Sequence, residues 1–133
     1  MAVLNRLKRL VETVNDNVSF ALAYIDEAHA SDTWALGYPG ALPSHKSMED
    51  RYMAARSFKE EHFPSSKLKV LADDFDNSWS EKYKSWPWRF WAFSLDESGQ
   101  PIISLVSDLK LNSAGDPNFD FGDLEKFLEP YRM

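Results

Sequence analysis

The chain contains no cysteine among its 133 residues. This absence excludes disulfide bonds, thiolate zinc sites and cysteine nucleophiles within these residues, and it fits a reducing compartment. Long apolar runs are missing as well: no apolar segment approaches the ~20 residues that a membrane-spanning helix needs. The amphipathic segment at the amino terminus also lacks the continuous apolar stretch of a signal peptide.

Basic residues are in the minority. Lys and Arg number 15 against 21 Asp and Glu, which gives a net charge of −6 and a pI near 5.0. We therefore expect no nucleic-acid partner, because phosphate binding needs a basic surface. The apolar share of 44% and the aromatic share of 14% indicate a globular chain. Its length favours a single domain over residues 1–133.

The apolar pattern predicts an α/β fold with a mixed sheet, in the order α-β-α-β-α-β-β-α. The predicted elements are helices over 2–15, from 47 onwards and over 77–85, strands over 18–25 and 67–73, a hairpin of 88–95 and 101–107, and a closing helix that ends at Pro130. The first strand is apolar throughout, which is typical of burial on both faces of a parallel sheet. A long loop, 26–46, separates it from the second helix.

Two of these elements carry specific packing predictions. Ser47 and Asp50 resemble a capping box at the start of the second helix. The spacing of apolar residues in that helix predicts a buried stripe of Met48, Tyr52, Ala55 and Phe58. The aromatic strand is expected to place Trp88 and Phe90 on one side and Trp91 and Phe93 on the other, as a central strand buried on both faces.

The segment "AYIDEAHASDTW" places Glu27 and His29 directly after the first strand. In extended backbone, residues two apart share a face, so both side chains are expected to enter one pocket. Ligands of open α/β sheets bind at this carboxyl end of parallel strands. The pair could relay protons or hold a polar ligand group, and a solvated strand end is the alternative.

Two further residues are candidates for holding an anion. His45 precedes the second helix, whose amino terminus carries partial positive charge, although a surface loop histidine is the alternative. Arg89 heads the aromatic strand, where a charge needs an anionic partner. No metal is expected, since the His and Glu residues lack a zinc-ligand pattern. Residues 73–79 lack the glycine of a calcium loop, and a strand end that runs into a helix cap explains them better.

Together these segments resemble the iodothyronine deiodinase family. "AYIDEAHASDTW" resembles the family motif Ile-Glu-Glu-Ala-His-Ala/Pro-Ser-Asp-Gly-Trp, and "PSHKSMEDRYMAAR" resembles Pro/Arg-Gln/Asn-His-x-Ser/Asn-Leu-Glu/Gln-Asp-Arg. "VLADDFDNS", "WRFWAF" and "FGDLEKFLEPY" are similar to later family segments in the same order. The likeness covers almost the whole chain.

The resemblance implies a thioredoxin-like, peroxiredoxin-related three-layer α/β/α fold and reductive removal of iodine from an iodinated phenol such as thyroid hormone. In that family a selenolate, or a cysteine thiolate, attacks iodine, a Glu–His network protonates the ring carbon, and a thiol reductant restores the enzyme. By motif match, Glu27 and His29 are the catalytic network, and His45, Arg89 and Trp34 bind the substrate. No other cofactor is implied. Family members are commonly dimeric and anchored to a membrane by an upstream helix.

The chain departs from the family in several places. Thr33 replaces the motif glycine, and "SLVSDLKLNSAG" has no arginine where the family has Gly-Gly-Arg-Gly. The family's selenocysteine follows a strand and precedes the helix with which "MAVLNRLKRLVE" aligns. We therefore expect an amino-terminal truncation that removes the catalytic strand, and a chain that is inactive by itself. A non-catalytic thioredoxin-like ligand-binding domain and a peroxiredoxin-like reductase remain as alternatives.

Overall fold

A computed structural model describes residues 2–37, 39–84, 89–108, 110–111, 117–118 and 121–133. The elements are α1 (Ala2–Thr13), β1 (Ala21–Tyr24), α2 (Met48–His62), β2 (Lys69–Ala72), α3 (Ser78–Tyr83), β3 (Arg89–Leu95), β4 (Pro101–Asp108), β5 (Lys110–Leu111), β6 (Pro117–Asn118) and α4 (Gly122–Leu128), followed by a 3-10 turn, Glu129–Tyr131. The predicted order is confirmed, with the short β5–β6 pair added. No helix in these ranges is both long and apolar enough to cross a bilayer.

The strands pair two by two. β1 runs parallel to β2, with Ala21 opposite Lys69 and Tyr24 opposite Ala72. β3 and β4 are antiparallel, as are β5 and β6. The mixed α/β class is confirmed, but the described strands form separate two-stranded sheets instead of one mixed sheet. Among the described strands, no hydrogen-bonded ladder joins the β1–β2 pair to the β3–β4 pair.

The core forms between the first and last helices. The apolar residues of α1 recur at helical spacing and pack against the apolar face of α4 and against residues that flank β2. The buried residues are Leu7, Leu10, Val11, Val14, Phe63, Leu68, Phe121, Leu124 and Leu128. Arg6 Nε donates to Glu125 Oε1 at 2.8 Å across the same helix pair. The helices α1 and α4 therefore form one packed unit.

The start of α2 agrees with the sequence. Ser47 is the N-cap, and its hydroxyl oxygen accepts from the Asp50 backbone N–H at 3.1 Å. The Asp50 carboxylate accepts from the backbone N–H of Lys46 at 2.9 Å, so the return bond of the capping box lies one residue earlier than usual.

The predicted buried stripe of α2 is wrong at two positions. Met48 is 37% exposed and Tyr52 is 58% exposed, whereas Arg51 and Ala55 are buried. The buried face is rotated by one residue because the Arg51 guanidinium finds polar partners in the loops after β1 and β2. Arg51, whose polar groups are hydrogen-bonded, is therefore buried on the helix face where the apolar pattern had predicted Tyr52.

The hairpin of β3 and β4 is confirmed, with Asp96 accepting from the Gln100 backbone N–H at 2.8 Å in its turn. Trp91 and Phe93 contact Tyr83, and Phe90 contacts Phe121 on the other side, so the predicted alternation holds. The predicted burial of this strand on both faces is wrong. Phe93 is 53% exposed, and β3 pairs only with β4 among the described strands. Trp88 lies outside the described residues.

Candidate functional site

Polar side chains gather where the carboxyl ends of β1 and β2 meet the start of α2. Tyr24 is the last residue of β1, and Asp26 and Glu27 follow it. The loop 73–77 follows β2 and leads into α3. Because the two strands are parallel, their carboxyl ends lie at the same edge, where α/β proteins bind ligands.

Asp32 folds the long loop 26–46 back toward this edge. Its carboxylate accepts from the Ser44 backbone N–H at 2.7 Å and the Ser44 hydroxyl at 2.8 Å, and it pairs with Lys46 Nζ at 2.8 Å. Hydrogen bonds from Lys46, and then from Ser44, hold the pKa of the Asp32 carboxyl well below its usual range. The charged carboxylate therefore fixes the residues on both sides of His45.

Tyr24 and Glu27 are joined directly. The Tyr24 hydroxyl donates a hydrogen bond to Glu27 Oε1. Burial, followed by the hydrogen bond to Glu27 and the Glu27 charge, raises the pKa of Tyr24 well above its ordinary value. Tyr24 is consequently a protonated donor throughout the neutral range.

His45 lies beside the same carboxylate. Its Nε2 is 3.5 Å from Glu27 Oε1, and its Nδ1 is 3.8 Å from Asp26 Oδ1. The imidazole is only 4% exposed, so the alternative of a surface loop histidine is wrong. We call this half-buried phenol and carboxylate, together with the imidazole, the Tyr24–Glu27–His45 chain. Tyr24 and Glu27 are hydrogen-bonded, and a proton could pass between Glu27 and His45 once their 3.5 Å separation shortens to hydrogen-bond distance.

Arg51 completes the cluster, and sequence reasoning missed it. Its Nε donates to His45 Nδ1 at 3.1 Å, its Nη1 donates to the Asp74 carbonyl at 2.6 Å and to Asn77 Oδ1 at 2.8 Å, and its Nη2 lies 3.4 Å from Asp26 Oδ1. The side chain is 2% exposed. The available signal was the arginine that closes the motif "SHKSMEDR".

His29 and Trp34 form a second pair in the loop. Strand β1 ends at Tyr24, and His29 lies in a turn with φ of 57°, so the two-residue spacing of an extended strand does not apply here. The His29 ring packs on Trp34 with ring centroids 4.1 Å apart. Trp34 is 61% exposed and presents an aromatic face to solvent. The structure places His45 beside Glu27, and the joint role of Glu27 and His29 stays a prediction.

Arg89 belongs to the other sheet. It is the half-buried first residue of β3, and its Cα pairs in register with Asp108. Its assignment as an anion holder stays a prediction.

The loop after β2 has a structural role. Asp73 accepts from the backbone N–H groups of Trp79 at 2.8 Å and Ser80 at 3.0 Å, which confirms the strand end that runs into a helix cap. Across the part of the chain that the structure describes, no three His, Asp or Glu side chains gather as metal ligands.

Comparison with known proteins identifies the family. The sequence model of the iodothyronine deiodinase family matches residues 1–97. The chain is 38% identical over 88 residues to type I iodothyronine deiodinase of Xenopus laevis, covering 66% of this chain and 34% of the relative. It is 34% identical over 132 residues to thyroxine 5-deiodinase of Bos taurus, covering 98% of this chain and 40% of the relative.

The match to type II iodothyronine deiodinase of Gallus gallus is 38% over 86 residues, or 60% of this chain and 30% of the relative. The matches thus span 30% to 40% of the length of these curated relatives. The family match covers well over half of the chain and includes the Tyr24–Glu27–His45 chain together with Arg51. The resemblance read from the motifs is confirmed, and the protein belongs to the iodothyronine deiodinase family.

Proposed function

We propose that these residues form the proton-transfer and substrate-holding part of a reductive deiodination site. The observation that carries the proposal is the half-buried Tyr24–Glu27–His45 chain at the carboxyl edge of two parallel strands. Membership of the iodothyronine deiodinase family supports the reaction class. Thyroid hormone, or another iodinated phenol, is the proposed substrate.

The proposed reaction has two steps. A selenolate or thiolate attacks the iodine, the carbon–iodine bond breaks, and the ring carbon keeps the electron pair and takes up a proton. Two thiols of a reductant then convert the chalcogen–iodine bond into iodide and a free chalcogenolate, forming a disulfide and releasing two protons. Because the 133 residues hold no cysteine, the nucleophile would be supplied from outside them.

The geometry suggests an exchange of roles between two histidines. His45 is buried beside Glu27, which suits a proton carrier better than an open clamp for substrate. His29 packs on the exposed ring of Trp34, and this ring offers a face on which an iodinated aromatic ring can stack. We therefore assign proton transfer to Glu27 and His45 and substrate contact to His29 and Trp34. Arg89 is kept as the candidate for an anionic group of the substrate.

The proposal includes a single thioredoxin-like domain over residues 1–133. The parallel pair β1–β2, the antiparallel pair β3–β4 and the flanking helices suit this fold. In thioredoxin-like sheets the strand that leads to the redox residue is central, and here it would lie between β1 and β3. A thiol reductant and a homodimer belong to the same proposal.

The test uses the full product of the gene, incubated with thyroxine and dithiothreitol, and measures iodide release. Replacing Glu27 with Gln removes the carboxylate and keeps the shape, so the rate is expected to fall about 10²- to 10⁴-fold. The matched control is Glu97→Gln in the exposed hairpin turn, which should leave the rate unchanged. Thyroxine binding without iodide release would favour a ligand-binding domain, and peroxide turnover would favour a peroxiredoxin-like reductase.

A further inference from the structure

We infer that Arg51 is a positioning residue that fixes His45 as the neutral tautomer with its proton on Nε2, the nitrogen 3.5 Å from Glu27 Oε1. The consequence for catalysis rests on the proposed function. The tautomer itself follows from the contacts alone.

The hydrogen bond between the two side chains assigns the proton. The Nε of arginine always carries a hydrogen, so it can only donate. It lies 3.1 Å from His45 Nδ1, which must therefore offer a lone pair. In a neutral imidazole with an unprotonated Nδ1, the proton resides on Nε2.

The opposite end of the ring favours the same tautomer. His45 Nε2 lies 3.5 Å from Glu27 Oε1, and within the described ranges it has no hydrogen-bond partner. The carboxylate charge attracts a proton on Nε2 at this distance without a hydrogen bond between the two groups. The other tautomer would set a lone pair against that oxygen and would bring the Nδ1 hydrogen against the Arg51 Nε hydrogen. Both contacts of the other tautomer are repulsive.

Arg51 can impose this choice because its guanidinium is itself fixed. Its Nη1 donates to the Asp74 carbonyl at 2.6 Å and to Asn77 Oδ1 at 2.8 Å. Its Cζ lies 5.7 Å from the centroid of the Phe75 ring. The planar fork thus ties α2 to the loop after β2 and presents Nε to His45 in one orientation. A lysine at this position would keep the charge and lose the fork.

The tautomer can be measured without reference to activity. The full gene product is labelled with 15N-histidine, and long-range proton–nitrogen spectra are recorded at about pH 8, where an ordinary imidazole is neutral. The His45 signals are identified by their loss in His45→Gln. We expect the wild-type His45 pattern to be that of the Nε2–H tautomer alone, with the unprotonated Nδ1 far downfield.

Two variants test whether Arg51 is the cause. Arg51→Lys should convert the single His45 pattern into a mixture of tautomers. Arg56→Lys is the matched control, because Arg56 lies on the exposed side of α2 and pairs with Glu60 at 3.0 Å. It should leave the His45 pattern unchanged, and backbone amide spectra show whether each variant is folded.

Each outcome of these spectra either supports or overturns the proposed role of Arg51. A wild-type His45 with its proton on Nδ1 would overturn the inference, and so would an unchanged pattern in a folded Arg51→Lys variant. If that variant does not fold, the wild-type spectrum alone gives the answer. An Nε2–H tautomer in a protein that releases no iodide would refute the proposed function and leave the role of Arg51 standing. Iodide release by a protein whose His45 carries its proton on Nδ1 would support the proposed function and overturn the role of Arg51.

Discussion

Replacing Tyr24 with Phe should change how the stability of the protein depends on alkaline pH. The pKa of Tyr24 is raised above its ordinary value of 10.0, chiefly by burial and then by the hydrogen bond and the charge of Glu27. The folded protein therefore keeps the phenolic proton at a pH where the unfolded chain loses it. The stability that this provides is fully present below pH 10.0 and is lost as the pH rises toward the raised folded pKa.

The magnitude follows from proton linkage. Above the unfolded pKa, one such group lowers the free energy of unfolding by up to about 1.4 kcal/mol per pH unit. Integrated from about pH 10 to about pH 11, the loss is at most about 1 kcal/mol, and solvent screening of the half-buried group reduces it. Tyr24→Phe lacks the titrating group and should not show this loss. At neutral pH the same variant should be less stable by about 1.5–3 kcal/mol, because it lacks a hydrogen bond to a charged carboxylate.

The assay is urea unfolding at a series of pH values, with Tyr52→Phe as the control. Tyr52 is 58% exposed, so its replacement should leave the stability at neutral pH nearly unchanged. Glu27→Gln should give an intermediate curve, since burial of Tyr24 remains when the carboxylate is gone. The reasoning would be refuted if Tyr24→Phe lost stability between pH 10 and pH 11 as steeply as the wild type.

Two further predictions concern the loop and the helix that hold the site. Ser47→Ala should destabilise the protein by about 1 kcal/mol, because it removes the side-chain cap of α2. The control Ser65→Ala lies in an exposed turn and should leave the stability unchanged. Equal urea midpoints for the two variants would contradict this prediction. Asp32→Asn should speed hydrogen exchange of the Ser44 amide. Since the pKa of Asp32 is lowered from 3.8, the stability advantage of the wild type should be present above that pH and shrink as the pH falls below it. An advantage that persists unchanged in acid would show that the Asp32 charge is not involved.

Features set by local sequence were predictable. The periodic apolar residues of α1 gave the helix and its buried face, and Ser47 with Asp50 gave the start of α2. The turn residues between β3 and β4 gave the hairpin. In each case the residues that determine the structure are close together in the chain, so spacing and capping chemistry suffice.

Features set by distant partners were not predictable in this way. The buried face of α2 depends on Arg51, whose acceptors Asp74 and Asn77 lie 23 and 26 positions further along the chain. The contact between His45 and Glu27 depends on the loop that Asp32 closes onto Ser44, 12 positions away. Family motifs identified Glu27 and His45 but could not show that these two side chains lie 3.5 Å apart.

The left-handed backbone at His29 is another feature that the sequence did not predict. A φ of 57° is uncommon for a residue with a side chain, and nothing in the two-residue spacing of Glu27 and His29 indicates it. The alternation of side chains in an extended strand therefore cannot be applied to this segment.

The central claim, that Glu27 and His45 act as one proton-transferring unit, is tested most directly by a double-mutant cycle on the rate of iodide release. Glu27→Gln, His45→Gln and the double variant are compared in the full gene product with thyroxine and dithiothreitol. Residues that act as a unit show non-additive losses, so the double variant is predicted to be about as slow as the slower single variant. Losses that multiply in the double variant would show that the two side chains act independently and would contradict the account.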